Sequence, residues 1–159
     1  MNIYPALTIS LLSQLTDQEL QFNYLNHLDR TSEIASLLTQ ITNKNLALRI
    51  VNLALEVDLY LGSSLTSSLI PELQQIIVDR INSLEIPTRL KVSLWRKSKS
   101  KAALPYLQDI FIFKHRQSNN YDGHQVIESA IAAIIDLDRG LAVALLIEEL
   151  SRTNINSHL

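Results

Sequence analysis

The chain has no cysteine, only three glycines and four prolines, and no long apolar run. Without cysteine there are no disulfides, no thiol chemistry and none of the common zinc ribbons or fingers. Such a chain suits a reducing cytoplasm, the expected location. Sandwiches and barrels place Gly and Pro at many turns, so their scarcity favours long helices joined by short polar connections. A phosphate-cradling loop is excluded too: there is no Walker-A pattern, no Gly-x-Gly-x-x-Gly and no Gly-x-Ser-x-Gly elbow. The stretch from Leu141 to Ile147 falls far short of the ~18 residues of a membrane span, and Glu148 and Glu149 close it. Met1-Asn2-Ile3-Tyr4-Pro5 lacks the basic and long apolar regions of a signal peptide.

What is present describes one globular domain over 1–159: 159 residues, 47% hydrophobic and 19% charged. Apolar spacing of three and four predicts an all-α chain of about seven to nine helices. The first covers Pro5 to Leu15. Thr16 and Glu19 form a capping box that opens a helix with Leu20, Tyr24, Leu25 and Leu28 inward. Asp29-Arg30-Thr31-Ser32 reads as a turn and a second cap, followed by Ile34, Leu37, Leu38 and Ile41. From Leu46 the pattern changes. Ile50, Leu53, Ala54 and Val57 form one stripe, and Leu48, Val51 and Leu55 form another. A helix apolar on two sides is buried between neighbours.

Residues 58–71 are ambiguous, because Gly62 and four serines either end a helix or only weaken one. Pro71 and Pro87 each open a helix, where the missing N–H costs nothing. Leu90, Leu94 and Trp95 face inward in the second of these, Lys97 to Ser100 is a tight turn, and Pro105 sits near the start of the next helix. Lys114 to Gly123 is the longest polar loop. Gln125 to Leu137 and Leu141 to Leu150 are the last helices, and the tail after Ser151 frays.

Shifting the chain by forty positions superposes Leu90 on Ala130, Leu94 on Ile134, Ser98 and Ser100 on Asp138 and Gly140, Leu107 on Ile147 and Ile110 on Leu150. Each unit is a helical hairpin, and the period sits at the low end of the roughly 40–47 residues of HEAT repeats. Residues 1–85 form an N-terminal helical part and 86–151 two such hairpins.

The segment Ser98-Lys99-Ser100-Lys101-Ala102-Ala103-Leu104-Pro105-Tyr106-Leu107 resembles the turn and second helix of HEAT-like repeats. Ile127 to Leu137 with Asp138-Arg139-Gly140 looks like the Ala-rich first helix and turn of the next unit. Val57 to Leu73 is similar to the helical region that precedes the repeats in bacterial, especially cyanobacterial, HEAT proteins attached to signalling NTPases. Trp95 and Ile135 depart from the pattern and imply bulkier packing at the end of each first helix. The resemblance implies a short right-handed α-solenoid of stacked hairpins (HEAT-like or ARM-type). It also implies protein binding through side chains of the second helices, for which Lys101, Gln108, Glu148, Glu149 and Arg152 are candidates. It implies no catalytic residue, cofactor or metal.

Other constellations are weak. Asp136 and Asp138 flank a turn, where a capping role for Asp138 is the ordinary reading. Glu148 and Glu149 diverge by ~100° on a helix. His27, His115, His124 and His158 share no metal-binding spacing. Trp95, Tyr106, Phe111 and Phe113 read as core, with Trp95 the alternative partner anchor.

Charge is the most informative surface feature. Residues 1–85 hold nine acids against four bases, net −5. Residues 86–116 hold eight bases (Arg89, Lys91, Arg96, Lys97, Lys99, Lys101, Lys114, Arg116) against Asp109, net +7. The remainder is −4, for a total of −2. This basic belt is either a solvated face paired with neighbouring acids or a surface for phosphates or an acidic partner. Three functions follow as expectations: a non-catalytic protein-interaction or scaffolding module, a nucleic-acid or polyanion binder through 89–116, and a HEAT-like relative of the bilin lyases. The last helix is apolar on most sides with little chain after it. It therefore calls for cover by the N-terminal helices, by a second copy in a homo-oligomer, or by a partner protein.

Overall fold

The computed structural model describes residues 6–117 and 121–156, with side chains for 6–112 and 123–152. Among the described residues there are ten α-helices and no strand, slightly more helices than periodicity alone predicts. Pro5 lies outside the described residues. α1 (Ile9–Gln14) starts at Thr8, whose hydroxyl accepts the Leu11 N–H.

The capping box is present. In α2 (Asp17–Leu20), Thr16 N–H donates to Glu19 Oε2 at 2.8 Å, and Thr16 Oγ1 accepts the Glu19 N–H at 3.3 Å. The Thr16 N–H, and then the Thr16 hydroxyl donating to Oε2 at 2.8 Å, hold the Glu19 carboxyl below its ordinary pKa. The long helix expected beyond it is broken. Gln21–Leu25 is a π turn and Leu28–Arg30 a 3₁₀ turn. A π turn winds with more residues than an α turn, so a stripe drawn at α spacing rotates out of register. Tyr24 and Leu25 stay buried, while Leu28 is 76% exposed. The cap expected at Asp29 to Ser32 also differs. Arg30 precedes α3 (Thr31–Leu38), and no side chain caps it. Arg30 is instead buried, with its guanidinium 5.1 Å over the Tyr24 ring and 3.8 Å from Glu33. Glu33 in turn accepts the Leu7 N–H at 2.9 Å, tying the first described residues to α3.

α4 (Lys44–Val57) is capped by Asn43 and buried on both predicted sides, through Ile50, Leu53 and Ala54 and through Val51 and Leu55. The ambiguous stretch proves to be a helix, α5 (Leu59–Thr66), capped by the Asp58 carboxylate at 2.7 Å from Leu61 N. Gly62 sits inside it because the α4 backbone passes there. A β-carbon at Gly62 would lie 2.6 Å from both Leu55 Cδ2 and Leu55 N. α6 (Pro71–Ser83) begins at Pro71 and α7 (Thr88–Ser98) follows Pro87, as the prolines predict.

α8 (Leu104–Gln117) carries Pro105 at its second position, after a 3₁₀ turn at Lys101–Ala103. α9 (Tyr121–Leu137) and α10 (Arg139–Asn156) complete the chain. The polar loop expected from Lys114 to Gly123 is helical at 114–117 and 121–123, and α10 continues past Ser151 to Asn156. Lys, Arg and Gln are good helix formers, and no proline interrupts either stretch, so polarity alone did not end these helices.

α5, α7 and α9 lie side by side, with α7 in the middle. α6 packs against α4, α7 and the 3₁₀ turn before α8, while α8 and α10 each pack on α9. One apolar cluster runs through these helices from Leu7 to Ala142. Trp95 stands within it, 2% exposed, stacked on Tyr106 with centroids 5.2 Å apart and 13° between planes. Its indole N–H donates to Val78 O at 3.4 Å, linking α7 to α6.

The Gly62 crossing gives a direct prediction. Gly62→Ala gains helix propensity but forces the α4 and α5 backbones apart. Net destabilisation of about 1–3 kcal/mol is expected by thermal or chemical unfolding, the range for overpacking a tight contact. Unchanged or raised stability would show that α4 and α5 cross with room to spare.

Candidate functional site

The basic belt of residues 89–116 is drawn together mainly around the turn between α7 and α8. Arg96 Nε is 2.5 Å from Asp136 Oδ2, and Lys101 Nζ is 3.2 Å from Asp138 Oδ2. Arg89 donates to Gln125 Oε1 at 3.0 Å, and Lys91 donates to the Asn82 carbonyl. Lys97 and Lys99 are exposed and make no ion pair with any described residue. The side chains of Lys114 and Arg116 lie outside the described residues, as do those of Phe113, His115 and His158. Trp95, the alternative anchor, is enclosed in the core and is not presented to a partner.

Arg96, Lys99, Lys101, Asp136 and Leu137 line an open groove of about 420 Å³ between the two hairpin turns. Two positions forty residues apart, Arg96 and Asp136, meet across it. The C-terminal ends of α7 and α9 therefore face one another. The register then slips by two residues at the turn, because the N-caps are Ser100, bonded to Ala102 N, and Asp138, bonded to Leu141 N at 3.1 Å. Asp138 so caps α10 as its spacing suggests. Its carboxyl is held below the usual 3.8, mostly by the Leu141 N–H and then by Lys101.

Lys99 has φ 52°, in the left-handed region, and is the only described non-glycine residue there. Glycine is the ordinary residue at such a helix C-terminus, since a β-carbon costs energy in that conformation.

A second surface lies on α10. Val143 is 51% exposed, Ile147 58% and Leu150 65%, with Leu146 at 38% beside them. Among the described side chains of α10 only Ala142 is buried; α9 is its main neighbour, and Phe111 of α8 lies beside Leu146. Beside this face a mostly apolar groove of about 300 Å³ is lined by Phe111, Ile127, Ile131 and Leu146, with His124, Glu128 and Glu149 at its edge. The charged candidates of the last helix pair along it: Arg152 bonds Glu148 and lies 3.9 Å from Glu149. Lys101 is held by Asp138, and Gln108 is half-buried.

Sequence reasoning pointed to α10 as under-covered but did not single out Val143 or Ile147. It also passed over Arg139, which falls on Lys99 in the forty-residue shift. Among the described residues no group of three or more His, Asp or Glu could hold a metal ion, and no helix is long and apolar enough to cross a membrane. No protein-family model matches the chain, and neither a curated protein nor a solved structure is significantly similar to it.

The Asp138 cap predicts a specific pH dependence. Its folded-state pKa is depressed, so it stabilises the fold above the ordinary aspartate value of 3.8, and that contribution is lost as pH falls through the folded value. Asp138→Asn keeps a capping oxygen but cannot titrate, so its stability should fall less steeply below about pH 4 in denaturant titrations. The same acid slope in both proteins would remove Asp138 as a source of acid sensitivity.

Proposed function

We propose that this chain is a non-catalytic protein-interaction module built as a short HEAT-type stack of helical hairpins. The observation that carries the reading is the apolar face of α10, with Val143, Ile147 and Leu150 half or more exposed on one side of that helix. Exposed apolar side chains gathered on one face, next to an apolar groove, mark contact surfaces in soluble domains. A stack of hairpins leaves such a face at its end unless a cap, a second copy or a partner covers it. The side-by-side order of α5, α7 and α9, and the meeting of Arg96 with Asp136, support the stacked arrangement.

The polyanion reading is supported less well. Arg96 and Lys101 are already paired to aspartates, and Arg89 and Lys91 to neutral acceptors, which leaves Lys97 and Lys99 as the described belt cations without a partner. Dedicated nucleic-acid domains carry a net basic charge, and this chain is −2. No residue observed here supports a bilin-lyase role.

Ile147→Asp tests the reading. An exposed substitution of this kind changes fold stability by about 0.5 kcal/mol or less, yet places a charge in the proposed contact. Tagged chain captured from source-cell lysate after nuclease treatment should retain a protein partner that the Ile147→Asp variant loses. If that partner is a second copy, sedimentation should show a dimer that Ile147→Asp converts to monomer. Identical partners and identical sedimentation for both proteins would contradict an interface on α10.

A further inference from the structure

The turn edge carries two cations that the fold does not need. Lys99 occupies a left-handed backbone position where glycine is the unstrained choice. Arg139 sits in the first turn of α10, directly after the capping Asp138, at the helix end whose dipole disfavours a cation. Neither makes an ion pair with any described residue, and both are exposed. Each is placed at a local cost with no local partner. Strain and misplaced charge of this kind gather at binding sites.

The geometry points to a docking site for an extended acidic peptide segment of a partner protein, laid across the two hairpin turns between Lys99 and Arg139. The 420 Å³ groove lined by Arg96, Lys99, Lys101, Asp136 and Leu137 is its bed. Arg96 and Lys101 are neutralised there by Asp136 and Asp138, so the groove and its Arg139 neighbour keep a surplus of two positive charges. The aspartates also select the ligand. A continuous polyanion sets a phosphate every few ångströms and would meet Asp136 and Asp138 as well as the cations. A chain with spaced carboxylates reaches the two free cations and avoids the acids. Adjacent packed helices lie about 8–10 Å apart, and an extended chain of polyproline-II form rises about 3.1 Å per residue and brings every third side chain back to the same side. Carboxylates three residues apart therefore match the two turns. The inference rests on the stacked-hairpin reading for this spacing, and on nothing in the apolar face of α10.

The test uses two fluorescent peptides in a glycine–serine background, one with an aspartate at every third position and one with the same aspartates adjacent. Anisotropy titrations at low salt should show tighter binding of the spaced peptide. Lys99→Gly and Arg139→Gln should each weaken it about five-fold, the size of one exposed ion pair, while melting at or above the wild-type temperature because the local cost is gone. Ile147→Asp should bind the peptide as wild type does, which separates this surface from the one on α10. Equal binding of the two peptides, unaltered affinity in Lys99→Gly and Arg139→Gln, or tighter binding of an oligothymidylate than of the spaced peptide would each overturn the proposal.

Discussion

A helix that is apolar on two sides is stable only where neighbours cover both, and this constraint organises the chain. α4 meets it between α5 and α6, with Gly62 allowing the α5 backbone to come close enough to Leu55 to close the gap. α7 meets it between α5 and α9, with Trp95 reaching Val78 of α6 and stacking on Tyr106 of α8. Among the described elements α10 packs extensively on α9 alone. On α10 that constraint is met less fully, and Val143, Ile147 and Leu150 stay exposed.

Electrostatics follow the same order. The basic segment 86–116 does not stand apart from the acids that follow it, since Asp136 and Asp138 at the next turn meet Arg96 and Lys101 of the preceding one. These pairs are exposed, and pairs of that kind contribute little stability. What they do is set which cations remain for a ligand. Of the belt's described cations, Lys97 and Lys99 make no ion pair with any described residue, and Lys99 lines the half-neutralised groove.

Much of this was legible in the residues. The capping box at Thr16, the two-sided stripe of α4, the helix starts at Pro71 and Pro87 and the Asp138 cap all express local chemistry that tertiary structure had no reason to override. Leu28 was misread because the helix ends at Asn26, His27 is extended and Leu28 opens a separate 3₁₀ turn, and nothing in that stretch announces it. Arg30 is buried by a cation–π contact and by Glu33, a tertiary arrangement that a turn motif hides. α8 and α9 extend into a polar segment because polar residues build exposed helices as readily as loops. Of the candidate site, the charges could be counted but not their partners. Pairing of Arg96 with Asp136, forty residues on, emerges only when α7 and α9 pack together.

The uncovered state of α10 can be read directly by amide hydrogen exchange on dilute chain, followed by mass spectrometry. Peptides from α4 and α7 should exchange near the rate set by global unfolding, and those from Val143 to Leu150 far faster, since a helix held on one side opens locally. Adding the captured partner, or raising the chain concentration if the partner is a second copy, should slow the α10 peptides alone. Protection of α10 equal to that of α4 in the dilute chain would mean that the terminal helix is already covered, and would contradict an interaction surface there.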